Sequence, residues 1–334
     1  MARYICMMFV IVTHLETNTK LLDSFYQDFF LMGFLFVSGY CYKNRNDFRV
    51  MIKKKNLQLL IPWLLWGLLS VCFHQIFSGW RKSTHIMGFG DEVLWFLLQV
   101  RGINDGPWFI AMLYAAFIPF YFLIKAYESS QHQSRFKWTL FALYIVGIVY
   151  GIYMPPFAYG TNALPWHIEY LPNALFFMFL GYEYRNIYEK KSEKYESLLF
   201  GVVTVVYLAL SCVSYFFSMG KILSVLMTTA KRIVGVTFIV LLSKKLKPNN
   251  YTRFVGQNTL TYFPMHIYIF VLGEAILHKV LPDLYTGILN NELLSACFSL
   301  AFAVLISLIL ILPAKFVNKY LPFMAGKPLP QKEH

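Results

Sequence analysis

Arg3 and His14 stand eleven residues apart at the start of an apolar stretch. On a helix that separation is about 16.5 Å of rise and about 20° past three full turns. The two side chains therefore share one face, with a guanidinium near one end and an imidazole about half a membrane further on. Such a pair could anchor the anionic head of a ligand on Arg3 and bring its reactive end to His14. Taken alone, the pair also fits a plainer description, in which Arg3 is a snorkelling interfacial cation and His14 a solvated loop residue. Other ionisable residues fall inside apolar runs, where each costs roughly 2.5–3.5 kcal/mol and so needs a reason to be there. His266 follows Pro264, and Glu274 lies eight residues on, about two turns along a similar face. They could orient groups or balance charge in a pocket, or serve as structural hydrogen-bonding partners. Lys231 and Arg232 should face a cavity or a partner rather than lipid.

The composition defines the elements that must position these groups. Of 334 residues, 57% are hydrophobic, 14% are charged and 19% are aromatic, and the mean hydropathy is +0.51. An average soluble domain carries about 25% charged residues. These values exclude a disordered chain, a disulfide-stapled secreted domain and an ordinary soluble enzyme. They leave an all-α polytopic membrane protein. Ten apolar runs, about 4–15, 25–42, 57–77, 108–126, 138–154, 172–188, 198–217, 222–243, 254–278 and 293–312, predict about ten transmembrane helices. Backbone in lipid must satisfy its own hydrogen bonds, and the run from Trp63 to Leu69 lacks the alternation of a barrel strand. The domain expected is a single transmembrane unit over 1–315, followed by a cytoplasmic tail over 316–334. The first run is about eight residues too short to cross, and its form is expected from a chain that begins late.

The net charge is +13, yet the basic residues sit in short connections, which points to membrane orientation and not to nucleic acid. With the N-terminus placed inside, 22 of the 30 Lys and Arg residues fall in inside segments, six fall outside, and Lys231 and Arg232 lie within a run. This asymmetry predicts both termini in the cytoplasm. Two outside connections, 78–107 and 155–171, could roof an outward-facing pocket or be plain connectors. The five cysteines, Cys6, Cys41, Cys72, Cys212 and Cys297, form no CxxC pair and are expected as free thiols. There is no zinc-ligand pattern, glycine-rich phosphate loop or GxSxG elbow, so no metal is expected.

Several segments, read in order, resemble one family. Arg3-x10-His14 within Ala2-Arg3-Tyr4-Ile5-Cys6-Met7-Met8-Phe9-Val10-Ile11-Val12-Thr13-His14 resembles the opening motif of the acyltransferase 3 family of integral-membrane O-acyltransferases. Phe34–Tyr40 resembles its Phe-rich Ser-Gly-aromatic segment, and Lys53–Trp63 its basic stretch running into Leu-Leu-x-Pro-aromatic. Gly106-Pro107-Trp108-Phe109-Ile110, Phe177–Tyr182 and Gly256–Leu260 followed by His266 are similar to later landmarks. Family members usually carry an Asp three residues before the Arg. That position would fall just upstream of Met1.

The resemblance implies transfer of an acyl group, most often acetyl, from cytoplasmic acyl-CoA to a hydroxyl of a sugar or glycan, in a ten-span core of the bacterial cytoplasmic membrane. A sugar hydroxyl is a poor nucleophile, and a histidine is suited to take its proton. His14 is then the general base, and Arg3 the cation for the donor's anionic portion. Lys53, Lys54 and Lys55 could hold the phosphates of CoA or act only as positive-inside anchors. Trp108 could stack on a sugar or be a belt tryptophan. Ser38 and Gly39 read more naturally as close-packing residues. Two rivals make different demands. A ten-span transporter or flippase of a glycan precursor should show internal repeats and helices broken near the midplane. A polysaccharide polymerase or ligase should show a large catalytic outer loop.

Overall fold

The computed structural model describes residues 1–44, 47–77, 88–99, 107–154, 164–189 and 196–328, and among these the chain is helical with no strand. Seven described helices are long and apolar enough to cross a membrane: Phe48–Ile76, Trp108–Ser129, Gln133–Tyr153, Glu196–Phe216, Lys221–Lys245, Thr259–Val280 and Glu292–Tyr320. The protein is an integral membrane protein of the all-helical class. Three of the ten expected runs take shorter forms. Helix α1, Ala2–His14, is apolar but has only 13 residues. The run 25–42 is broken, because α2 (Lys20–Tyr26) ends before α3 (Phe30–Tyr40) begins. The run 172–188 is helix α9, Leu171–Glu183, continued by a π-helical turn, Tyr184–Tyr188.

The contacts group the residues into two compact units. The first comprises 1–42 and 177–315, and the second 43–176 and 316–334. In the first unit α1 is the buried rod, with Cys6, Met7, Val10, Ile11 and Val12 covered. It packs against α3, α12 (Asn250–Gln257), α13 (Thr259–Val280) and α15 (Glu292–Ile309). A helix apolar on every side is the sequence expected for such a position. Helices α10 (Glu196–Phe216) and α11 (Lys221–Lys245) lie along one another, and α2 packs on α10.

The break between α2 and α3 has an electrostatic counterpart. Asp28 sits in the turn, and its Oδ2 is 2.8 Å from the Lys231 ammonium. Lys231 also donates to Ser214 Oγ at 3.2 Å and is only 3% exposed. This ion pair answers the demand that a lysine inside an apolar run find a partner. Elsewhere α3 and α9 meet backbone to backbone. A methyl group at Gly39 would fall on the Met178 carbonyl, and one at Gly181 on the Phe36 carbonyl. Small residues permit that approach, in keeping with Ser38 and Gly39 as packing residues. Arg185 closes the end of α3 by donating to the Tyr40 and Tyr42 carbonyls, each at 3.1 Å.

In the second unit α4 (Phe48–Lys55), a π-helical turn (Asn56–Leu60) and α5 (Ile61–Phe77) form one continuous rod. Helix α6 (Phe89–Leu98) packs on α5. Next come α7 (Trp108–Ser129), α8 (Gln133–Tyr153) and a 3-10 segment, Pro165–Tyr170, that leads into α9. The region expected as a tail from 316 begins as helix, because α16 runs Ile311–Tyr320. A further turn, Pro322–Ala325, then docks on α5, where the Trp66 indole donates to the Met324 carbonyl at 2.9 Å. Helix α14 (Pro282–Leu289) packs against α13 and α15 in the first unit. Much of the two expected roof segments, 78–87, 100–106 and 155–163, lies outside the described residues.

Candidate functional site

The end of α1 carries the site. Helix α1 stops at His14 because Leu15 turns to extended backbone (φ −76°, ψ 139°). The helix is unbroken from Arg3 to His14, so the two residues keep the face and the spacing of about 16.5 Å that the sequence predicts. Both are exposed, at opposite ends of a rod whose other residues are buried or half-buried. At the Arg3 end, α12 packs beside Arg3 and Tyr4 at Gly256, and the guanidinium reaches Cys41 Sγ at 3.8 Å.

At the His14 end, α13 presents residues four apart: His266, Phe270, Glu274 and His278. Steps of four advance about 40° around a helix, so the four side chains form one slowly winding stripe. The stripe meets α1 and the turn that follows it. The His14 ring lies 5.0 Å from the His266 ring and 6.2 Å from that of Phe270, centroid to centroid. Glu274 Oε1 accepts the Glu16 backbone N–H at 2.7 Å. His278 Nε2 lies 2.8 Å from Glu16 Oε2.

His266 is fully buried, and its Nδ1 is 3.2 Å from the Tyr262 carbonyl one turn back. A carbonyl only accepts, so Nδ1 carries the hydrogen and Nε2 is left as a bare acceptor. That Nε2 is buried and has no hydrogen-bond partner in the structure. A neutral imidazole with a fixed tautomer thus backs the exposed imidazole of His14. Around the rim, Tyr285 from α14 donates to Glu16 Oε2 at 3.4 Å and packs edge-on against His278. Burial, with the Glu274 and Glu16 carboxylates nearby, pushes the Tyr285 phenol above its ordinary value. It therefore remains a neutral donor. Thr17 and Ser299 share a hydrogen bond of 2.7 Å, and Ser295 donates to the Thr17 carbonyl at 2.8 Å, which pins the turn after α1 to α15.

The structure brings together His14, His266 and, through Glu16, Glu274. Ser38 is not part of this group, because its hydroxyl is spent on the Phe34 carbonyl one turn back, at 2.8 Å. The second unit holds the remaining predicted residues. Lys53 and Lys54 are exposed on α4, whereas the Lys55 ammonium sits 3.5 Å from the Phe117 ring centroid. Trp108 opens α7 and faces the rings of His167 and Tyr170. Sequence reasoning missed Glu16, His278 and Tyr285. The four-residue spacing of 266, 270, 274 and 278 is the signal that could have found His278. Among the described residues no group of His, Cys, Asp and Glu side chains gathers to hold a metal ion.

The family model described as an acyltransferase domain matches residues 1–312 of the chain. The protein belongs to the acyltransferase 3 family, and with its membrane-length helices it is a membrane acyltransferase. No curated protein and no solved structure matches the chain.

Proposed function

We propose that the protein is an O-acyltransferase that moves an acyl group, acetyl in the first instance, from cytoplasmic acyl-CoA to a hydroxyl of a sugar or cell-surface glycan. His14 takes the hydroxyl proton as the oxygen attacks the thioester carbonyl. The carbon–sulfur bond breaks as the new ester forms, and the imidazolium returns its proton to the departing CoA thiolate. Arg3, at the far end of the same face, holds the donor's anionic portion. In the second unit Lys53 and Lys54 are exposed cations of the kind that bind phosphates, and Lys55 is available only by leaving the Phe117 ring. Trp108, also in the second unit, is the candidate for stacking on a sugar. His266 acts through His14 as a positioning group, and Glu274 fixes the turn beyond it. Both termini lie in the cytoplasm, and the membrane is the bacterial cytoplasmic membrane. The observation that carries this reading is the exposed His14 imidazole, one helix face from Arg3 and backed by the neutral His266 ring, in a chain of this family.

The test uses membranes supplied with labelled acetyl-CoA and candidate glycans. Wild type transfers label, His14→Ala loses about 10²–10⁴-fold in rate, and Arg3→Ala raises the KM for the donor. Transfer that survives His14→Ala removes His14 as base. Solute flux into vesicles with no transfer to any acceptor would favour a transporter.

A further inference from the structure

The second unit holds another carboxylate-bound imidazole, built at the cost of backbone strain. Within Pro165–Tyr170, Trp166 (φ 58°, ψ 19°) and His167 (φ 52°, ψ 41°) are consecutive left-handed residues, and neither is glycine. Such a conformation costs about 1–3 kcal/mol per residue and persists where surrounding contacts hold it. The contacts here are specific. Trp166 packs 4.9 Å from Trp63 and donates its indole N–H to the Leu97 carbonyl at 3.0 Å. His167 is only 1% exposed, and its Nδ1 is 3.0 Å from Glu169 Oε1. The other oxygen, Glu169 Oε2, accepts the Leu164 N–H at 2.9 Å.

A carboxylate held at both oxygens keeps a hydrogen on Nδ1 of His167, and in the neutral ring Nε2 is then an acceptor. Nε2 is buried and receives no hydrogen bond. Leaving a buried acceptor unpaired costs about 1–3 kcal/mol. Next to it stand two half-exposed aromatic rings. The Trp108 ring centroid lies 4.8 Å from that of His167, and Tyr170 lies 5.6 Å from Trp108.

The geometry points to a binding site for a hydroxyl-bearing ring, a pyranose, in which the apolar C–H face of the sugar stacks on Trp108 and one hydroxyl donates to His167 Nε2. An aromatic face carries negative charge density that attracts C–H hydrogens, and an imidazole locked as an acceptor selects a donor. Nε2 is covered in the structure, so a hydroxyl reaches it only when a neighbouring ring gives way. The site rests on the acyltransferase reading in one respect only, namely that the bound sugar is the acceptor.

Binding is measured on the purified full chain in detergent, without acyl donor. Equilibrium dialysis is run with labelled methyl glucoside, methyl galactoside and N-acetylglucosamine, and with hexanol as an aliphatic control. At least one sugar binds wild type and hexanol does not. His167→Phe and Trp108→Leu each weaken binding at least tenfold. Glu169→Gln, which places an amide donor against Nδ1 and so drives the hydrogen to Nε2, weakens it similarly. Its tautomer change is read from the ¹⁵N shifts of the labelled imidazole, which separates loss of the acceptor from loss of the fold. Failure of every sugar to bind, or binding unchanged in both His167→Phe and Glu169→Gln, overturns the site. Sugar binding that depends on His167, with no acyl transfer to any sugar, keeps the site and overturns the acyltransferase mechanism. Acyl transfer with an unchanged acceptor KM in His167→Phe does the reverse.

Discussion

Replacing His266 with Phe separates positioning from packing at the candidate site. Phe keeps a ring of similar size beside His14, whose centroid is 5.0 Å away. It removes the Nδ1–H bond to the Tyr262 carbonyl, an interaction worth about 0.5–1.5 kcal/mol net. It also removes the buried Nε2 that has no partner, whose burial costs about 1–3 kcal/mol. The two terms oppose one another, so the change in stability should be within about 1 kcal/mol, and the melting temperature of the detergent-solubilised protein should barely move. The rate should move. A general base contributes about 10²–10⁴-fold, and a base whose ring is no longer oriented forfeits part of that, about tenfold to 10² in kcat. The assay is acyl transfer from labelled acetyl-CoA at saturating acceptor, with kcat and donor KM measured across pH. Donor KM should hold, because Arg3 lies about 16.5 Å away along α1. A His266→Phe enzyme with wild-type kcat, or one whose kcat falls only as far as its melting temperature, would refute the positioning role.

Other expectations follow from single contacts. Lys231→Met leaves Asp28 without its 2.8 Å partner and should destabilise by about 3–5 kcal/mol, whereas Asp28→Asn with Lys231→Met should recover most of it, as read by thermal unfolding in detergent. Gly181→Val should cripple folding, because its side chain would have to occupy the place of the Phe36 carbonyl, and little folded protein should survive size-exclusion chromatography. Glu16→Gln should change stability by less than about 1 kcal/mol, since its pair with His278 is half-exposed. Tyr285 has a raised folded pKa, so it adds stability that is complete below its unfolded value near 10 and is lost as pH climbs above it. Tyr285→Phe should therefore flatten the alkaline limb of the stability profile, measured from pH 8 to 11. If that limb is unchanged, the phenol is not what burial and its two carboxylate neighbours make it.

The membrane character and most of the helices were legible in the residues, because hydrocarbon admits only backbone that bonds to itself, and long apolar runs report this directly. The Arg3–His14 face was legible for a similar reason. Both residues lie on one unbroken helix, and the helical period alone sets their relation. The ion pair at the Gln27–Phe29 break was not legible, since its two halves, Asp28 and Lys231, lie some two hundred residues apart in sequence. The same holds at the site. Periodicity could align His266 with Glu274, but only the packing of α13 against α1 decides that His266 backs His14 and that Glu274 receives the Glu16 amide. It also took the folded backbone to bring Trp166 and His167 into left-handed conformations, against the local preference of both residues. Local periodicity is written into every stretch of chain, whereas a tautomer, a paired charge or a strained turn exists only when distant helices supply its other half.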